Sequence, residues 1–263
     1  MESIKTVVNY LKFYFAAQGS KGFGIHSPFV FNLVTQVIGK NKKLDCFRDI
    51  EKQRSKLLQN QQIIDVTDLG SGSTLFHSNQ RKIKDIAAHS LKSSRQVRLL
   101  FRLVNHFQSK NIIEMGTSLG ITTSYLAKAN PLSKVITLEG CPEVSKIAIN
   151  TFESLNINNI ELINGEFNQT LPLVLDSLDT VDFVFFDGNH RADPTLAYFN
   201  LCLQKKHNDT LFVFDDINHN PEMESAWEQI KLHPETKVTI DLFWLGLVFF
   251  KKELTEQHYM VRF

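Results

Sequence analysis

Near the C-terminus two β-rich runs, residues 237–242 and 247–252, are separated by only four residues, Phe243 to Gly246. A link that short cannot hold a crossover helix, so the two strands must run antiparallel, as a hairpin at the edge of a sheet. Upstream, five short β-rich runs at 112–115, 134–139, 160–164, 181–187 and 211–215 alternate with stretches of helical spacing at 121–129, 142–155, 169–177 and 194–205. Parallel strands with crossover helices on both faces produce that rhythm. With a further helix over 222–232, the expectation is a doubly wound α/β fold: a seven-stranded, mostly parallel sheet ending in an antiparallel hairpin.

The first 110 residues read instead as helices and loops, with helical stretches at 3–17, 28–38, 47–58 and 95–107 and a glycine-rich turn at 19–24. The expected division is therefore a helical N-terminal cap, 1–110, and an α/β domain, 111–263. Charge separates the same two regions. Residues 1–110 hold 18 Lys/Arg against 7 Asp/Glu and residues 111–263 hold 11 against 21, although the net charge is only +1. Two readings stay open: a basic layer packs on an acidic domain and the fields cancel, or the basic part attracts an anionic substrate or RNA.

At 43% hydrophobic and 22% charged, the composition excludes a fibre and a disordered tail. Cys46, Cys141 and Cys202 lie far apart without a C-x-x-C pair, which argues against structural zinc and a disulfide framework and for a reducing, cytoplasmic setting. The apolar stretch 7–17 is interrupted by Lys12 and lacks a small-residue cleavage site. No apolar run approaches the roughly 18 residues of a membrane span. A soluble protein without a membrane is expected, with a homo-oligomer left open.

Two glycine loops compete for a nucleotide. Asp68-Leu-Gly70-Ser-Gly72-Ser73 has the more familiar look, but polar sequence follows it and Lys92 and Ser93 stand where a ribose-binding acid belongs. It reads as a turn, or as a lid loop. Glu114-Met-Gly116-Thr-Ser-Leu-Gly120 follows an apolar strand, precedes a helix, and is followed 19 residues after Gly120 by Glu139 at the end of the next strand. A carboxylate there accepts both hydroxyls of a ribose. A dinucleotide loop needs a middle glycine where this one has Ser118, so pyrophosphate is disfavoured. A phosphate-free cofactor with an amino group for Glu114 to hold indirectly and a ribose for Glu139 fits. S-adenosylmethionine is such a molecule.

The loop 114–120, Glu139, the Asn164-Gly165 turn after the third strand and Phe185-Phe-Asp187-Gly together resemble a class I S-adenosylmethionine-dependent methyltransferase, with its Rossmann-like sheet. More narrowly, they resemble the metal-dependent O-methyltransferases, the catechol, caffeoyl-CoA and antibiotic-sugar group. The resemblance covers about residues 111–251 and lends no substrate, because His26-Ser-Pro-Phe29 and its surroundings are similar only to uncharacterised bacterial methyltransferases. It implies adenine beside the loop after the third strand, hence roles for Phe167 and Asn168. The expected cofactor set is Glu114, Gly116, Thr117, Ser118, Gly120, Glu139, Gly140, Gly165, Phe167, Asn168 and Asp187.

Acids also end the later strands: Asp187 after the fourth, Asp215 and Asp216 after the fifth. In a doubly wound sheet the fourth strand neighbours the first, which is expected to bring Asp187 near the Gly116 loop. Crowded carboxylates repel, and a divalent cation with a preference for oxygen relieves that repulsion, so Mg2+ on Asp187, Asp215 and Asp216 is expected. The resembling enzymes carry metal-binding acids at these strand ends. Acids that only cap helices or bond loops are the competing reading. His190, three residues after Asp187, is placed either as general base or as a residue that orders the loop or contacts substrate; His219 borders the same region. The functions carried forward are O-methylation of a small or medium acceptor, methylation of an RNA nucleotide, and cofactor binding without turnover.

Overall fold

The computed structural model describes residues 2–40, 44–67 and 79–263, of which 2–5 are described as backbone alone. The Gly70/Gly72 loop lies outside the described residues. In chain order the elements are α1 (Glu2–Ala16), α2 (Pro28–Leu33, continued by a wider π-type turn Val34–Ile38), α3 (Cys46–Leu57), β1 (Ile63–Asp65), β2 (Gln80–Lys82), α4 (Ile83–Ser90) and α5 (Ser94–Phe107). There follow β3 (Asn111–Met115), α6 (Ile121–Ala129), β4 (Lys134–Glu139), α7 (Pro142–Ser154), β5 (Ile160–Asn164), α8 (Phe167–Asp176) and β6 (Val181–Phe186). The chain ends with α9 (Ala192–Leu203), β7 (Lys206–Asp215), α10 (Pro221–Lys231), β8 (Val238–Asp241), β9 (Leu245–Phe249) and β10 (Gln257–Met260). The large sheet is mostly parallel and eight-stranded, in the order β10-β8-β9-β7-β6-β3-β4-β5.

Two compact units share these elements, Asn41–Phe183 and Met1–Lys40 with Val184–Phe263. In the first, β3, β4 and β5 pair in parallel register, Ile112 on Val135 and Val135 on Ile160. Ile112, Ile113, Glu114 and Met115 are all buried, so β3 shows no alternation, as expected of a strand covered on both faces. Helix α5 starts at a capping box in which Ser93 Oγ accepts from Gln96 N and Gln96 Oε1 accepts from Ser93 N. Its Val97, Leu100 and Val104 are buried at helical spacing. The antiparallel pair β1–β2 was not expected in a region read as helices and loops.

In the second unit β9 lies between β7 and β8, antiparallel to both, which is the expected hairpin. Its turn is set by Asp241, whose Oδ1 accepts from Phe243 N at 2.7 Å while Phe243 adopts φ +74°. A Cβ on Gly246 would stand 2.6 Å from the Trp227 ring, so α10 can lie on β9 only where a side chain is missing. The hairpin is not the sheet edge, however. Strand β10 pairs parallel to β8 beyond it and makes the sheet eight-stranded rather than seven. Its four residues alternate between half-buried and exposed, too short and too polar a run to stand out as a strand.

Candidate active site: a glycine loop and an acid cluster

Within Asn41–Phe183 the turn from β3 into α6 puts three of five residues at positive φ: Gly116 (+103°), Ser118 (+48°) and Gly120 (+79°). Backbone N–H groups of Gly116 and Thr117 both donate to the Leu138 carbonyl, at 3.0 and 3.2 Å, folding the turn over the end of β4. The two glycines do different work. A Cβ on Gly120 would meet Phe152 Cε1 at 2.6 Å and Ala148 Cα at 3.3 Å, so that glycine allows α6 to begin against α7.

Under the loop, Glu114 is fully buried. Its Oε2 accepts from Thr123 Oγ1 at 2.5 Å and Thr137 Oγ1 at 2.7 Å, while Oε1 is buried with no hydrogen-bond partner among the described residues. An orphaned carboxylate oxygen calls for a donor from outside, and a ligand ammonium, directly or through water, is a donor of the right charge. Burial raises the Glu114 pKa from 4.5 to about 7, against the two threonine hydrogen bonds that lower it. Between those values the folded chain holds a proton that the unfolded chain has released, so stability falls as pH rises through the window, by roughly 3 kcal/mol at most. Urea midpoints from pH 5 to 8 are expected to decline in the native chain and to flatten in Glu114→Gln; equal slopes would refute the assignment.

Glu139, at the end of β4, ties the neighbouring turns together. Its Oε2 accepts from Ser118 N at 2.9 Å and its Oε1 from Cys141 N at 3.0 Å. Each carboxylate oxygen has two lone pairs, so the group can still receive a diol. Gly140 lies between those contacts in the chain. Gly165, at φ +150°, donates its N–H to the Glu139 carbonyl at 2.9 Å, and Asn164 Nδ2 donates to the same oxygen at 2.8 Å. Phe167 and Asn168 then open α8, half-buried and exposed respectively. The structure thus gathers the turns after β3, β4 and β5 at one end of three adjacent parallel strands.

Sequence spacing missed three supports of these turns. Ser90, at the end of α4, makes a 2.8 Å hydroxyl contact with Ser118, and Arg54 Nη1 donates to the Lys92 carbonyl at 2.7 Å, fixing the turn between α4 and α5. Cys141 Sγ accepts from Thr67 N at 3.4 Å, holding the segment after β1 beside the start of α7. All three cysteines are free thiols. Pairings 28, 38 and 74 residues apart carry no local signature.

In the other unit Asp187, His190 and Asp215 each offer a ligand atom, all within 4.8 Å of one another. Asp215 is 1% exposed. His190 Nε2 stands 3.8 Å from Asp187 Oδ1, and the His190 carbonyl accepts from Asn220 Nδ2 at 3.3 Å. Asp216 adopts φ +52° and its Oδ2 lies 3.9 Å from His219 Nδ1; it is not one of the three grouped residues. His219 is brought within 6.2 Å of His190, centroid to centroid. A buried carboxylate beside a second carboxylate and an imidazole is a donor set suited to a divalent cation, which offsets the cost of burying the charge.

Residues 113–217 match a family model described as a methyltransferase domain. The catechol O-methyltransferase of Niastella koreensis is 30% identical over 128 residues, 48% of this chain and 57% of that protein. That of Mycobacterium tuberculosis is 27% identical over 127 residues, 48% of this chain and 56% of that protein. The chain thus spans a little over half the length of the curated relatives it matches. Among solved structures, an O-methyltransferase from Bacillus cereus in complex with SAH superposes with a TM-score of 0.56 at 19% identity, over 84% of this chain and 97% of that one. The sheet order and these matches agree on a Rossmann-like fold shared with solved O-methyltransferases, within which residues 113–217 are similar to a methyltransferase domain.

Proposed function

We propose that the chain transfers the methyl group of S-adenosylmethionine to a hydroxyl oxygen of a small acceptor, with a divalent cation, magnesium first among them, held by Asp187 and Asp215. The observation that carries this reading is the Asp187, His190, Asp215 group, whose ligand atoms converge within 4.8 Å. The sequence assigns Asp216 to the same cation, but its carboxylate keeps to His219, so His190 and Asp216 contend for the third position and single alanine variants of each separate them.

On the donor side, Glu139 accepts the ribose hydroxyls while its backbone contacts hold the Ser118 and Cys141 turns in place. Glu114 faces the donor's ammonium through its unfilled oxygen. Gly165, Phe167 and Asn168 flank the adenine. Methyl transfer is an in-line displacement in which an oxygen lone pair forms the new C–O bond as the C–S bond breaks, so the acceptor must be deprotonated and aligned. When bound, the cation supplies Lewis acidity that lowers the hydroxyl pKa and fixes its oxygen. His190 takes the proton at its imidazole nitrogen if it is not itself a ligand. Residues 1–110 are assigned to acceptor selection, supported by the Ser90 contact on the cofactor loop.

Arginines on α5 favour a second reading. Arg95, Arg98 and Arg102 recur along α5 within the basic first 110 residues, a charge suited to an anionic acceptor such as RNA. Incubation with the donor, magnesium and either catechols or RNA, with products read by mass spectrometry, tests both. A methylated small acceptor is the expected result. RNA methylation whose affinity falls steeply with salt selects the alternative, and failure to bind S-adenosylhomocysteine by calorimetry overturns both.

A further inference from the structure

Helix α1 is docked by one side and apolar on the other. Phe13 and Ala17 are buried with Phe243, and Asn9 donates to Glu224 of α10 at 3.2 Å, so that side faces the protein. At about 3.6 residues per turn, Val7, Leu11 and Phe15 form a line on the opposite side, flanked by Val8 and Tyr14. Their exposures are 56% for Val7, 49% for Leu11 and 83% for Phe15. A helix apolar on its outward side is one that something covers. Beyond α1 the glycine-rich turn carries Phe23, 78% exposed. Gly22 makes the turn possible, with φ +79° and a missing Cβ that would otherwise stand 2.6 Å from the Phe31 ring.

Charge selects the occupant. Residues 1–44 contain six lysines and a single acid, Glu2. Lys12 and Lys21 are exposed beside the apolar residues, and the exposed Arg262 guanidinium lies 5.0 Å from the Tyr14 ring centre. An isologous contact with a second copy would set this basic segment against itself. An anionic lipid surface accepts both parts: phosphates meet the lysines, and valine, leucine and phenylalanine enter the headgroup boundary. We infer that α1 and the Phe23 turn rest on an anionic membrane surface. This is attachment in the interface plane, consistent with the absence of a spanning helix among the described residues.

Flotation of the full chain with vesicles of phosphatidylcholine containing phosphatidylglycerol, against vesicles of phosphatidylcholine alone, tests this. The chain is expected to float with the anionic vesicles, to stay behind with the neutral ones, and to be released by high salt. The double variant Leu11→Asp/Phe15→Asp is expected to lose about tenfold or more in partitioning, and Lys12→Glu/Lys21→Glu to lose a comparable amount, with circular dichroism unchanged in both. Retention in the aqueous layer with both vesicle types overturns the inference. So does a dimer, seen by light scattering and split by Leu11→Asp/Phe15→Asp, that ignores vesicles, because the occupant is then a second copy.

Discussion

Asp215→Ala is expected to reduce methyl transfer by at least about a thousandfold, and a chelator is expected to do the same to the native chain. Asp215 is buried at the end of β7 with Asp187 and His190 converging on the same few ångströms. Removing it takes a carboxylate from the donor set and leaves too few oxygens to hold a hard cation. Thermal stability gives a readout independent of turnover. Magnesium at about a hundred times its dissociation constant stabilises a native state by about 2.7 kcal/mol, so the native chain's Tm is expected to rise with magnesium while that of Asp215→Ala stays flat. Asp215→Asn keeps the shape and discards the charge, and is expected to behave like alanine in both assays. Transfer that survives both chelation and Asp215→Ala would remove the cation from the mechanism and leave the donor site standing.

Glu139→Ala is expected to weaken S-adenosylhomocysteine binding about a hundredfold, because hydrogen bonds to a charged group contribute roughly 1.5–3 kcal/mol each. The substitution removes the proposed acceptor for the ribose and releases the Ser118 and Cys141 N–H groups, so the turns after β3 and β4 lose their common tether. Glu139→Gln keeps one acceptor oxygen but presents an amide NH2 to a backbone donor, and is expected to fall between the two. In steady-state kinetics the loss should appear mainly in the KM for the donor, since the ribose is remote from the bond that breaks. Unchanged affinity in Glu139→Ala would mean that this acid serves only the backbone it already holds.

Most of the candidate cofactor cradle's geometry was legible because it is local. Glu114, Gly116 and Gly120 occupy one strand-turn-helix, and Glu139 ends the next strand, so chain spacing alone puts them in register. The antiparallel hairpin was legible for a similar reason, a link too short for any other geometry. Strand β10 was not: four alternating residues become a strand only because β8 offers an edge to pair with. The Ser90 and Cys141 supports were hidden too, since each joins segments that the sequence keeps far apart. His190 illustrates the intermediate case. Its place three residues after Asp187 was visible, but its convergence with Asp215 depends on how separate strand ends come together.

The amino-acid order by itself determined the alternation of strands and helices, the antiparallel ending and the glycine turn between β3 and α6, because hydrophobic period, loop length and glycine placement act over a few residues. Only the tertiary structure decided which acid keeps to which histidine, what holds the glycine turn from behind, and which side of α1 is left uncovered. Those outcomes depend on distances between residues remote in the chain, and such distances are set by packing rather than by any local preference.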